Sequence, residues 1–171
     1  MPDGNGAEKS LLEMASFVAQ RVQIEDVRLV RATVRRELDS DEPPPVLDFG
    51  FNVSTDFDRD TKRIRSKVFF SFDSYFKKEN RSGPSPLHVD VGFALGYSLQ
   101  SIDDIDDAKI DAFGKMNAVY NAWPYVREFV QSMIVRMGLP SLTLPVLTSG
   151  LLSEIYRTEI ASVSAADGDG R

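Results

Sequence analysis

The stretch AWPYVREFVQSMIVRMGLPSLTLPVL, residues 122–147, says most about how this chain folds. Pro124 suits the first turn of a helix, where a backbone N–H has no partner in any case. Gly138 is a natural C-terminal cap, and Pro140 prevents the helix from continuing. The stretch therefore predicts a helix from about residue 124 to residue 137, followed by an extended Leu-x-Leu segment.

The sequence before this helix has the alternation typical of β-strands. Apolar residues recur at every second position over 47–53, 64–72 and 87–99, with polar or small residues between them, apart from Ser66 on the apolar face and Phe69 on the other. An earlier strand, starting near residue 22, changes phase between residues 25 and 30, which predicts a bulge or bend. The Asp-Ser-Asp-Glu-Pro-Pro-Pro run at 39–45 predicts an exposed crossover, because three prolines suit neither a strand nor a helix.

Helical patterns occupy the two ends of the chain. Residues 11–22 have the spacing of a short amphipathic helix, and residues 151–160 carry the broad apolar face of another. Strands followed by helices predict an α+β fold, a four-stranded antiparallel sheet packed by a long helix. We expect a disordered lead at residues 1–8, a single domain at 9–160 and a disordered tail at 161–171.

The composition excludes several classes of protein. The chain has 171 residues, no cysteine and a single histidine, so disulfides and thiolate zinc sites are excluded and a His-based metal site or triad would lack partners. A formal charge of −6 argues against a nucleic-acid binder. No stretch approaches the roughly 20 apolar residues of a membrane span, and the first residues lack the pattern of a signal peptide. We expect a cytoplasmic protein without enzymatic activity, cofactor or metal.

The long helix is too apolar to cover one side of a solitary subunit. Its apolar stripe is wide, and the strands carry most of the 11 phenylalanines, so we expect apolar area to remain exposed. Contiguous apolar patches on proteins usually mark surfaces for partners or ligands. Self-association through the helix face is the first expectation, and a groove for another molecule is the second.

The run from Trp123 to Glu128, the turn at Gly138 and the Pro-x-Leu-x-Leu stretch from Pro140 resemble the SecB family of protein-export chaperones. The resemblance covers roughly residues 20–160. It implies a four-stranded antiparallel sheet, a long helix and a C-terminal lid helix at about 150–160. It also implies a homotetramer, arranged as a dimer of dimers, whose hydrophobic grooves hold unfolded preproteins in a state competent for SecA-dependent export.

The resemblance assigns residues to three surfaces. The client-binding groove is expected at Leu47, Phe49, Phe51, Leu151, Leu152, Ile155 and Tyr156. We expect the oligomer interface at Trp123, Val126, Phe129, Val130, Met133, Val89 and Val91. The acidic residues that would contact SecA are Asp26 and Asp90.

Three other functions remain open at this point. Val30 stands where the export family has an acid, and the helix before the first strand resembles the SecB-like chaperones of toxin–antitoxin systems, which hold and protect an antitoxin. A small-molecule-binding α+β domain is another alternative, although few polar residues converge to orient a ligand. The third is a structural adaptor that oligomerises and binds one folded partner.

Overall fold

The computed structural model describes residues 4–37, 46–77, 79, 83, 85–148 and 152. Its elements follow the chain in the order α1 (Gly4–Ala19), β1 (Val22–Arg36), β2 (Val46–Asp58), β3 (Arg63–Tyr75), β4 (Leu87–Leu99), α2 (Asp107–Phe113), a π-helical turn (Gly114–Ala118) and α3 (Val119–Arg136). Strands come first and most of the helical residues follow, which confirms the predicted α+β class. The predicted lid helix lies outside the described residues except for Leu152.

The four strands form one antiparallel sheet in the order β1-β4-β3-β2. The pairing of β1 with β4 shifts register between Ile24 and Asp26 and again between Leu29 and Arg31, which confirms the predicted bulge. The β2–β3 and β3–β4 pairs keep register throughout. The strands β1 and β2 form the two edges, and the predicted crossover between them at 39–45 lies outside the described residues.

The core lies between the sheet and the helices. We call the helix-covered side of the sheet the inner face and the opposite side the outer face. On β4 every inner-face residue is buried, and β3 buries its inner face in the same alternating way. The buried residues Val126, Val130 and Ile134 of α3 close the core from above. Each such side chain stabilises the fold by about 1.5–3 kcal/mol relative to an exposed one.

The helix α3 begins earlier than predicted. It starts at Val119, so Pro124 lies inside the helix rather than in its first turn. A proline there removes one backbone donor, but Val119 and Ala122 are fully buried, and their packing holds the turn that precedes it. Gly138, with φ +74°, donates its N–H to the Val135 carbonyl at 3.0 Å, which confirms the predicted helix end.

The π-helical turn that precedes α3 contains Gly114 at its contact with β2. A Cβ added to Gly114 would lie 2.0 Å from Oγ1 of Thr55 on β2. The absence of a side chain therefore allows this turn to approach the sheet closely.

The helices α2 and α1 begin at Asp107 and Gly4. Asp106 caps α2 by accepting the Lys109 N–H at 2.9 Å. The helix α1 begins at Gly4 and so includes residues 4–8, while the division of the chain into lead, domain and tail stays a prediction. Within the described residues, no helix combines the length and hydropathy that crossing a membrane requires.

Candidate functional site

An aromatic cluster surrounds Trp123 on the inner face of β2 and β3. The ring centroid of Phe49 lies 5.9 Å from that of Trp123 and 5.9 Å from that of Phe72. Phe70 lies 5.6 Å from Trp123, and Phe51 lies 5.7 Å from Phe70. Aromatic pairs at such distances add about 0.5–1.5 kcal/mol to the free energy gained by burial. The cluster fills the space between the sheet and α3.

The chain that follows α3 is attached to this cluster. The indole N–H of Trp123 donates a hydrogen bond to the Pro145 carbonyl at 3.0 Å. Leu144 and Leu147 of this extended segment are buried, whereas Val146 between them is 67% exposed. The segment therefore closes the core beside the indole and still presents an apolar side chain to solvent.

The structure brings three of the predicted groove residues together, and we call them the aromatic wall: Leu47, Phe49 and Phe51. All three lie on the inner face of β2, where Leu47 and Phe49 are partly exposed and Phe51 is buried. Because β2 is an edge strand of the described sheet, this wall borders the open side of the core. Its role in client binding stays a prediction.

Of the predicted lid residues, the structure describes Leu152 alone. Leu152 is fully buried within the hydrophobic core, and its N–H donates to the Thr148 carbonyl at 3.0 Å. Its assignment to a groove-facing lid stays a prediction, because the rest of the lid lies outside the described residues. Leu151, Ile155 and Tyr156 lie outside the described residues.

The residues of the predicted oligomer interface differ in exposure. Five of them are at most 4% exposed within the single subunit: Trp123, Val126, Val130, Val89 and Val91. These side chains pack between α3 and its own sheet, and their assignment to an interface stays a prediction. Phe129 and Met133 are partly exposed on the flank of the helix, and their role at an interface stays a prediction.

An exposed apolar strip lies where α3 leaves β1 uncovered, and sequence reasoning missed its strand half. On β1, Ile24 is 44% exposed and Leu29 is 50% exposed, both on the inner face. The ring of Tyr125 on α3 lies 6.0 Å from Phe93, the cross-strand partner of Leu29. With the two flanking residues of α3, this surface is the β1–α3 strip, made of Ile24, Leu29, Tyr125, Phe129 and Met133.

The two predicted SecA contacts lie on the outer face, and each is already paired. Asp26 accepts from Arg28 at 2.8 Å, and Asp90 interacts with Nε2 of His88 at 3.1 Å. Asp26 lies opposite Gly96, six positions along β4 from Asp90, which corresponds to roughly 20 Å at about 3.4 Å per residue. Each of these two carboxylates is therefore already engaged by a neighbouring side chain.

His88 joins β3 and β4 on that face. Its Nδ1 lies 2.9 Å from a carboxylate oxygen of Asp73, while its Nε2 faces Asp90. Burial disfavours the charged ring, but the two carboxylates outweigh burial and raise the pKa of His88 above its ordinary value. Burial likewise works against the ionised form of Asp90, yet hydrogen bonds from Ser71 and His88 lower its pKa.

This cluster has no arrangement for catalysis. Both ring nitrogens of His88 are engaged by carboxylates, so neither is available to take a proton from a nucleophile. In the parts of the chain that the structure describes, no group of three or more His, Cys, Asp or Glu side chains could hold a metal ion. We therefore regard the cluster as a polar link between β3 and β4.

Comparison with known proteins relates the chain to one group of chaperones. No family model matches the chain. The SecB-like chaperones of two Mycobacterium tuberculosis strains are each 26% identical to it over 156 residues, covering 81% of this chain and 84% of the relative. A solved Mycobacterium tuberculosis SecB-like chaperone, in complex with a ChAD peptide from the HigA1 antitoxin, superposes with a TM-score of 0.68 at 22% identity, covering 85% of this chain and 100% of that one. The fold is thus that of a SecB-like chaperone.

Proposed function

We propose that this relative of the SecB-like chaperones is an ATP-independent holdase that binds unfolded or partly folded polypeptides, and that its client is an antitoxin. The similarity to proteins named SecB-like chaperones supports the general activity. The antitoxin peptide in the structurally similar complex supports the choice of client.

The aromatic wall is the observation that carries this proposal. The ring of Phe49 lies 5.9 Å from that of Trp123, tilted by 39°, and yet Phe49 keeps part of its surface open to solvent. Each Leu- or Phe-sized client side chain that covers such surface contributes about 1.5–3 kcal/mol before ordering costs. Because these contacts need no particular hydrogen-bonding pattern, a few of them hold an unfolded segment without reading its sequence.

Export of preproteins through SecA is the second candidate, because it would use the same wall. It also requires free acidic residues to dock SecA on the outer face, whereas Asp26 and Asp90 are paired with Arg28 and His88. The pairing of these acids favours the antitoxin as client. A small-molecule site is less well supported, since the aromatic cluster fills the space between sheet and helix.

Self-association would complete the chaperone, and the β1–α3 strip is the surface we propose for it. Its two halves flank the buried Phe93, which lies opposite Leu29 in the register and 6.0 Å from the ring of Tyr125. A second subunit that covered the strip would remove its large apolar side chains from water. A homotetramer built as a dimer of dimers would contain four copies of the aromatic wall. Repetition raises the avidity for one long client without any new contact.

A chaperone assay with matched variants tests the wall. The protein is added to a chemically denatured client on dilution, and light scattering reports aggregation. We expect Phe49→Ser to weaken suppression by roughly tenfold in the concentration required, since one aromatic contact is lost. Phe57→Ser is the control, because Phe57 lies on the same strand and face, eight residues away, outside the wall. Equal losses in both variants, or no suppression by the wild type, would contradict the proposal.

The choice of client is tested by competition. Labelled antitoxin peptide of the similar solved complex is bound to the protein and displaced with an unfolded export precursor. We expect the antitoxin peptide to bind at least about tenfold more tightly, a difference of roughly 1.4 kcal/mol. Tighter binding of the precursor, together with binding of purified SecA, would instead establish the export function.

The assembly is tested by light scattering coupled to size exclusion. Leu29→Glu should lower the measured mass, because the charge would be buried between subunits. Leu12→Glu makes the same change at a comparably exposed leucine on α1, 48% exposed, and should leave the mass unchanged. A monomeric wild type would contradict the proposed tetramer.

A further inference from the structure

A shallow depression on the outer face is floored by small residues and bordered by cations. Ala94 and Gly96 of β4 form its floor, between β1 on one side and β3 on the other, and Gly92 lies beyond it along β4. The depression has a volume of about 580 Å³. Its charged lining residues are Arg63, Arg65 and Lys67 on β3 and Arg28, Glu25 and Asp26 on β1, while Arg31 lies opposite Gly92.

The floor requires small residues because side chains from neighbouring strands cross it. A Cβ added to Gly92 would lie 2.3 Å from the ring of Phe69, and one added to Gly96 would lie 2.5 Å from a carboxylate oxygen of Asp26. The Arg31 guanidinium lies 4.7 Å from the centre of the Phe69 ring, which holds this cation in place. Side chains from neighbouring strands therefore lie over Gly92 and Gly96, and Ala94 between them is partly exposed.

Two of the cations are paired with carboxylates, and two make no ion pair among the described residues. Arg28 pairs with Asp26 at 2.8 Å, and Arg63 pairs with Glu25 at 3.6 Å. Lys67, which flanks Ala94 opposite Arg28 in the register, is exposed and makes no ion pair with any residue that the structure describes.

Two carboxylates of β2, Asp56 and Asp58, lie near Arg65 without forming an ion pair with it. Arg65 is exposed and likewise has no ion pair among the described residues. Asp56 lies opposite it in the register of β2. Asp58 accepts the N–H groups of Asp60 and Thr61 in the turn after β2, which lowers its pKa. A positive centre thus remains on a chain whose net charge is −6.

The spacing of the β3 cations indicates the ligand. Arg63, Arg65 and Lys67 occupy alternate positions of one strand, so they repeat at about 6.6–6.8 Å. An extended peptide with a carboxylate at every second residue repeats at the same distance. We propose that the outer face binds an extended segment of a partner protein with acidic residues at alternate positions, lying along β4 between the β3 cations and Arg28 and Arg31.

A peptide fits this surface better than a nucleic acid does. The positive region ends at Glu25 on one side and at the carboxylates of Asp73 and Asp90 on the other. A long polyanion would extend over these acids and be repelled, whereas a peptide of a few residues stays over the cations. The surface lies on the opposite face from the aromatic wall, so the inference does not depend on the proposed client.

The test uses two labelled peptides of equal composition and charge with the purified full-length protein. One alternates glutamate with serine, and the other carries its glutamates in one block. Fluorescence anisotropy at low salt should show about fivefold tighter binding of the alternating peptide, and added salt should weaken it, because matched charges favour one register. Equal affinity of the two peptides would overturn the proposal, as would tighter binding of an oligothymidylate of equal charge.

Matched charge reversals locate the site. Lys67→Glu should weaken the alternating peptide by about tenfold, because an attraction becomes a repulsion. Lys77→Glu makes the same change at an exposed lysine beyond β3 and should keep the affinity within about twofold, as expected for a charge outside the contact. Both variants should keep the wild-type melting temperature and aggregation suppression, so a loss of peptide binding is separable from misfolding and from failure of the holdase. Equal losses in the two variants would overturn the assignment.

Discussion

The two faces of the sheet carry different kinds of side chain. On the inner face, β4 buries a large apolar side chain at every second position, and the aromatic cluster joins the sheet to α3. On the outer face, the same strand alternates glycine, alanine and polar residues beneath cations from β1 and β3. The exposed apolar surface of the inner face consists of side chains that the helices do not cover. The charged surface of the outer face consists of side chains from the strands that flank β4.

The inner face should be the more sensitive to truncation, which the first prediction tests. Trp123→Ala removes the centre of the aromatic cluster and the hydrogen bond to the Pro145 carbonyl, so the free energy of unfolding should fall by about 3–5 kcal/mol. Urea denaturation measures the loss. The control Phe69→Ala, at a partly exposed aromatic residue of the outer face, should cost about 1 kcal/mol. Similar costs for the two would contradict the contrast between the faces.

The second prediction concerns the contact of the π-helical turn with β2. Gly114→Ala places a methyl group against Thr55, whose hydroxyl is hydrogen-bonded to Ser66 at 3.0 Å, so the free energy of unfolding should fall by about 1–3 kcal/mol. The double variant Gly114→Ala with Thr55→Ala should lose less than the sum of the single losses, because removing the threonine side chain makes room. Additive losses by urea denaturation would show that the contact is not the cause.

The third prediction compares two glycines of the outer face. Gly92→Ala pushes the Phe69 ring aside, but this ring is partly exposed and can move, so the cost should be only about 1 kcal/mol. At Gly50 an added Cβ meets nothing within 4 Å, and Gly50→Ala should stabilise by about 0.4–1 kcal/mol through the unfolded state. Thermal unfolding of the two variants checks the sign, and the same sign for both would contradict the outer-face geometry.

The smallest effect is expected from pH. Because the pKa of His88 is raised in the folded state, its contribution to stability is complete below the unfolded pKa of about 6.5 and is lost as pH rises through the folded pKa. The stability difference between the wild type and His88→Gln should therefore shrink from about pH 6 to about pH 8.5, as the imidazole loses its proton. Urea midpoints across this range measure it, and a constant difference would show that Asp73 and Asp90 do not bind the charged ring.

Much of the sheet was predictable from the sequence, because alternation has a period that only a half-buried strand satisfies. The residues at 64–72 and 87–99 lie on the predicted faces, and the phase change in β1 marks its bulges. The end of α3 at Gly138 was predictable because a positive φ is accessible to glycine. Its start was not, because burial of Val119 outweighs the local effect of Pro124.

The candidate surfaces were only partly predictable. Alternation places Leu47 and Phe49 on one face, but it does not show how far the neighbouring helix covers them. The width of the apolar stripe on α3 indicated a surplus, yet Val126 and Val130 are in the core and the surplus lies at Phe129 and Tyr125. The β1 half of the strip was missed because the bulges obscure which residues share a face.

By itself the sequence determined the fold class, the strand faces and the excess of apolar side chains, since each depends on local periodicity and composition. Only the tertiary structure decided which of those side chains remain in contact with water and which cations stand without a partner. The physical reason is that exposure and charge pairing depend on where α3 crosses the sheet and on the register of β1, β4 and β3, and neither is encoded in the spacing of any single segment.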